Sequence, residues 1–135
     1  MFVVDASVVV AWCLEDESSE AADAAVARLM AEGGIAPAHW PIEVASALRS
    51  AERRGRLDEA SIGRLRPRLT ALPVEILAVE FSTALGVMDT ARRYDLSVHD
   101  ACYLDLADIR GVGLATVDAR LAKACRVAGV PLIAA

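Results

Sequence analysis

The chain has 135 residues and a net charge of −5, with 56% hydrophobic and 4% aromatic residues. That length fits one domain over residues 1–135, large enough to bury a core unaided. The longest mostly apolar run, Ala6 to Leu14, is far short of the roughly 20 residues that span a membrane, and no basic leader precedes it, so a soluble, cytoplasmic protein is expected.

Phe2-Val3-Val4 reads as a short buried strand ending at Asp5. A brief helix is expected from Val8 to Leu14. Ser18 or Ser19 can cap a second helix that runs to Glu32 and stops at Gly33-Gly34. Ile35-Ala36 is a weak strand candidate. Pro41 suits a first helical position, with Trp40 as the cap, and opens a third helix ending near Gly55. Asp58 can cap a fourth helix through Leu72, made irregular by Pro67. Val74 to Leu77 reads as a strand, and Phe81 to Tyr94 as a helix. Another helix starts near His99 or Asp100 and ends at Gly111 or Gly113. Leu114 to Val117 is a strand, Ala119 to Ala128 a last helix, and Leu132-Ile133 a closing strand. Short apolar strands alternating with helices predict an α/β fold, with a mostly parallel sheet covered on both faces.

Charge is unevenly spread. From Arg49 to Arg68 seven arginines face three acids, a local balance of +4, which leaves −9 on the rest of the chain. Arg49, Arg53 and Arg56 recur at helical spacing and share one face if the helix reaches Arg56. Phosphate contact and a solvated face are both open readings. Cys13, Cys102 and Cys125 form no CxxC pair and read as buried free thiols.

Four acids share one kind of address. Asp5 ends the first strand, Glu43 lies in the first turn of a helix, Asp100 sits at a helix start, and Asp118 follows the Leu114–Val117 strand. In open α/β sheets, sites form beyond the carboxyl ends of the strands. Each acid has an ordinary alternative. Asp5 and Asp118 can cap helices, Asp100 can complete a box begun by Ser97, and Glu43 can be a solvated first-turn acid. Together, however, clustered carboxylates repel, and a divalent cation relieves that repulsion. An all-oxygen set favours Mg²⁺ or Mn²⁺ over zinc, and such ions suit phosphodiester chemistry.

The same residues carry a resemblance. Val3-Val4-Asp5-Ala6-Ser7-Val8-Val9-Val10 resembles the first motif of PIN-domain ribonucleases, especially VapC-type toxins. Pro41-Ile42-Glu43-Val44-Ala45-Ser46-Ala47-Leu48 is similar to the second. Leu96-Ser97-Val98-His99-Asp100-Ala101-Cys102-Tyr103 is similar to the third, and Leu114-Ala115-Thr116-Val117-Asp118-Ala119-Arg120-Leu121 to the fourth. Gly129-Val130-Pro131-Leu132 fits the usual ending. The resemblance implies a three-layer α/β/α sandwich and Mg²⁺- or Mn²⁺-dependent cleavage of RNA. A homodimer and a cognate antitoxin are implied as well. Asp5 and Asp100 match the family's metal ligands, Glu43 its second-motif acid and Asp118 its most variable acid. Ser7 and Thr116 match hydroxyl residues that would orient the acids. One departure is Ser46, which stands where the family often has Asn.

Other residues carry weaker signals. His99 is a candidate base that metal chemistry would make unnecessary. Trp12 and Trp40 are expected in the core or an interface, and Asp16 and Glu17 as loop charge. A non-catalytic PIN-fold binding module is one rival function. The other is an aspartyl-phosphate phosphotransferase, disfavoured because Ser7 replaces the second Asp such phosphatases use and the only lysine is Lys123.

Overall fold

The computed structural model describes residues 1–17 and 19–133. Strand β1 (Phe2–Val4) is buried throughout, and its apolar side chains serve both faces of a sheet. Helix α1 (Ala6–Cys13) begins directly after Asp5, two residues before the expected Val8. Helix α2 (Glu20–Glu32) is capped by Ser19, whose hydroxyl accepts the Ala22 amide, and it ends at Gly33, φ +76°. Ser18, the other expected cap, lies outside the described residues. Strand β2 (Gly34–Pro37) is longer than the expected Ile35-Ala36 pair.

Helix α3 (Trp40–Arg53) starts one residue before Pro41. His39 is the cap rather than Trp40, because the His39 backbone is itself near-helical and its carbonyl accepts the Glu43 amide. The helix ends before Arg56, since the chain turns at Gly55 with φ +76°. Helix α4 (Glu59–Thr70) is capped by Asp58 and carries Pro67 inside it. Then come β3 (Val74–Leu77), α5 (Phe81–Tyr94) and α6 (Val98–Arg110), the last capped by Ser97 on the Asp100 amide.

Strand β4 (Leu114–Ala115) is only two residues long, and α7 (Ala119–Ala128) follows. The expected strand to Val117 stops short because side-chain hydroxyls replace the ladder. Thr116 Oγ accepts the Asp118 amide and Ser7 Oγ accepts the Val117 amide. The expected closing strand reduces to a single parallel bridge between Leu114 and Leu132.

The sheet is fully parallel, in the order β3-β2-β1-β4. Helix α1 packs on α2 and α3, and α6 packs on α5 and α7, which forms two helical layers. Right-handed crossovers require this division, since β1 to β2 to β3 travels one way across the sheet and β3 to β4 returns the other way. The chain therefore reverses its winding between β1 and β4, the kind of switch point where a crevice opens. Val3 pairs with Leu114 and Val4 with Ala115, so Asp5 and Thr116 emerge side by side at that crevice. Among the described residues, no helix is long and apolar enough to cross a membrane.

Candidate active site

Asp5 is the one charged residue in the buried core among those described, at 3% exposed. It stands at the cap position of α1 but makes no side-chain cap hydrogen bond. Its Oδ2 instead accepts Ser7 Oγ at 2.6 Å and Thr116 Oγ at 2.7 Å, and those two hydroxyls are 3.3 Å apart. The capping explanation therefore fails at Asp5, and the hydroxyls lock the carboxylate to the ends of β1 and β4. Burial raises its pKa against the pull of these donors, and Glu43 adds to the rise.

Asp100, half-buried in the first turn of α6, is also raised. Burial is the main cause, followed by the charges of Asp5 and Asp118, with the Ser97 hydroxyl opposing. Asp118 does cap: its Oδ1 accepts the Leu121 amide at 3.0 Å. Glu43 Oε2 accepts the phenol of Tyr103 at 2.5 Å and lies 3.4 Å from His39 Nε2. The four acids are thus brought to one end of the sheet, Asp5 coupled to Glu43 and Asp100 coupled to Asp5 and Asp118. All four sit at helix N-termini, where the aligned peptide dipoles offset negative charge. No Lys or Arg pairs with any of them among the described residues.

The donor chemistry fits a hard divalent cation: oxygen only, anionic, partly dehydrated and without a protein counter-charge. Among the described residues, no three His, Cys, Asp or Glu groups stand close enough to grip one ion together. Mg²⁺ typically keeps several waters and takes only one or two carboxylates directly, so a tight three-ligand cage is not required.

Two residues at the site carry a signal that the sequence reading passed over. His39 lies four residues before Glu43 and Tyr103 three after Asp100, each a same-face helical spacing. The His39 ring meets Tyr103 edge-on with centroids 5.0 Å apart, and lies 4.9 Å from the ring of the exposed His99. Burial and His99 both lower the His39 pKa, which leaves it neutral near pH 7. Ser46 is exposed and makes no side-chain bond to Glu43 among the described residues.

The arginine segment divides. Arg56 forks onto Asp16 and also reaches Glu17, tying the turn after α3 to the loop after α1. Asp16 and Glu17 therefore hold Arg56 and are not simply solvated. Arg68 lies 4.5 Å over the half-buried Trp12 ring. Arg49 pairs with Glu52 at 2.7 Å, whereas Arg53 has no ion-pair partner among the described residues. A groove of about 1030 Å³ between α3, α4 and β3 is lined by Trp40, Val44 and Leu48 and by none of the four acids. Trp40 is buried as expected, its indole Nε1 unpartnered. Cys13 and Cys125 are buried and free, their thiols pushed up to about 11, and Cys102 is half-buried.

Residues 2–127 match the PIN domain family. The chain is 38% identical over 122 residues to Ribonuclease VapC3 of Mycobacterium tuberculosis, strain CDC 1551 / Oshkosh. The match covers 90% of this chain and 85% of that protein, and the same values hold for strain ATCC 25618 / H37Rv. The fold is similar to the crystal structure of PAE2754 from Pyrobaculum aerophilum, with a TM-score of 0.68 at 24% identity, covering 91% of this chain and 83% of that one.

Proposed function

Because the chain belongs to the PIN-domain family, and within it to the VapC-type ribonucleases, we propose that it is an endoribonuclease toxin that depends on Mg²⁺ or Mn²⁺. The observation that carries this reading is Asp5. It is a buried carboxylate that neither caps its helix nor meets a protein cation, and it is coupled to the other acids at the sheet's switch point.

In this reading Asp5, Glu43, Asp100 and Asp118 form the acidic centre that would hold the ion, with no more than two of them as direct ligands where they stand. When bound, Mg²⁺ or Mn²⁺ supplies a Lewis acid that polarises a phosphoryl oxygen and makes a neighbouring water more acidic. The chain's own residues supply placement. Ser7 and Thr116 fix Asp5, Tyr103 bonds Glu43, and the Leu121 amide holds Asp118. The helix N-termini around the site favour an approaching phosphate, which bare carboxylates would repel. Hydrolysis adds water across one P–O bond of the RNA backbone.

The partners follow from the family and the charge. A cognate antitoxin silences the enzyme by setting an arginine among the acids, since a guanidinium forks onto carboxylates in the ion's place. A complex in which the antitoxin leaves all four acids open contradicts this. A homodimer and a cytoplasmic location complete the proposal.

Incubation of purified protein with total RNA tests the function, with Mg²⁺, Mn²⁺ or excess EDTA and an Asp100→Asn control. Fragments are expected only with the metals and only from wild type. Undiminished cleavage in EDTA, with contaminating nuclease excluded, contradicts it. RNA left intact by a folded, Mn²⁺-supplied wild type favours a non-catalytic binding module.

A further inference from the structure

Tyr103 is fully buried on α6, one helical turn beyond Asp100, and its hydroxyl donates to Glu43 Oε2 from across the sheet end. His39 Nε2 approaches the same oxygen at 3.4 Å, and its ring braces the phenol edge-on. No side chain among the described residues bonds Oε1 of Glu43. A glutamate is long, and an untethered one in a first helical turn sweeps a wide arc that costs entropy to hold. Glu43 is about one-third exposed, so packing alone does not hold it. Taking Glu43 as part of the acidic centre proposed above, we infer that Tyr103 is a positioning residue. It clamps Oε2 of Glu43 and so fixes where Oε1, the oxygen that would face a bound ion, stands. The same bond ties the helical layer holding α3 to the layer holding α6, which sets Glu43 relative to Asp100.

The plain alternative is a buried phenol bonded to the nearest acceptor for its own satisfaction. In that case the hydroxyl matters to stability and not to the ion. Tyr103→Phe keeps the ring and removes only the hydroxyl, and a cycle with Glu43→Gln separates the two cases. Wild type, both single variants and the double variant are compared for Mn²⁺ affinity by calorimetry without RNA. Single-turnover cleavage and RNA KM follow, all at a temperature where every variant melts as folded in EDTA.

Tyr103→Phe is expected to weaken Mn²⁺ binding and slow cleavage by roughly 10- to 100-fold, the usual effect of losing a ligand's hydrogen-bond partner. RNA KM should stay unchanged. In the Glu43→Gln background the second change should add nothing. Wild-type Mn²⁺ affinity and rate in Tyr103→Phe, or an equal further loss in the Gln background, overturns the inference while leaving the acidic centre intact. A folded wild type that neither binds Mn²⁺ nor cleaves RNA overturns the acidic centre, and this inference with it.

Discussion

At the scale of single residues, Asp5 carries opposing demands. Burial lifts its pKa above the ordinary value of 3.8, so the fold disfavours the charge that the proposed chemistry uses. A carboxyl with a raised folded pKa contributes stability below its unfolded pKa, and that contribution is lost as pH rises through the folded value. Metal-free wild type should therefore lose stability on going up through that interval, and Asp5→Asn should not. In EDTA, the variant's melting temperature minus that of wild type should grow as pH rises from about 4 and then level off. A difference that is constant with pH would show that Asp5 ionises without cost. Asp5 was legible in the sequence as the residue ending an apolar strand. The Tyr103 phenol that bonds Glu43, and the His39 ring beside it, were not. His39 and Tyr103 lie at helical spacings from Glu43 and Asp100, but their meeting depends on two helices from opposite layers.

At the scale of elements, caps decided most boundaries. Ser19, Asp58, Ser97 and Asp118 each accept the amide three residues on; the starts after Ser19, Asp58 and Asp118 were readable from residue type, whereas α6, expected from His99 or Asp100, starts at Val98 because Ser97 caps it. The other errors arose where tertiary bonds override local pattern. Strand β4 is cut short because Thr116 turns its hydroxyl to Asp5, and α3 starts at Trp40 because His39 already turns helically. Asp118 both caps α7 and belongs to the proposed centre, and two substitutions separate the roles. Asp118→Asn should keep stability within a few tenths of a kcal/mol yet slow cleavage, whereas Asp118→Ala should also cost about 1 kcal/mol in urea unfolding. Full activity in Asp118→Asn would reduce it to a cap. Gly34 is a packing glycine: a Cβ there would lie 2.6 Å from Leu29 Cδ1 and 3.1 Å from the Phe2 carbonyl. Leu29 is fully buried, so Gly34→Ala should destabilise by about 1–3 kcal/mol. An unchanged urea midpoint would mean that β1 and β2 can part at little cost.

At the scale of the whole molecule, an acidic protein that handles RNA must localise its positive charge. Arg56 is engaged by Asp16 and Glu17 and Arg68 lies over Trp12, whereas Arg49 and Arg53 stand exposed one turn apart on α3 as candidate phosphate contacts. Replacing both with Ala should flatten the slope of log affinity against log salt by about 1.4 for single-stranded RNA. An unchanged slope returns them to the solvated face. The α/β class and the parallel sheet were legible in the alternation of short apolar runs with helices. Ser7 and Thr116 were expected beside the acids from the resemblance, but their convergence on a single oxygen of Asp5 was not legible, since it depends on β1 and β4 lying side by side. The central claim is that these acids cleave RNA through a divalent ion, and the most direct measurement is single-turnover RNA cleavage with Mn²⁺ by wild type and Asp5→Asn, each verified as folded. Wild type should cleave, and the variant should lose more than about 100-fold, beyond what loss of an outer hydrogen-bond partner costs. An Asp5→Asn protein that cleaves at the wild-type rate would contradict the account at its centre.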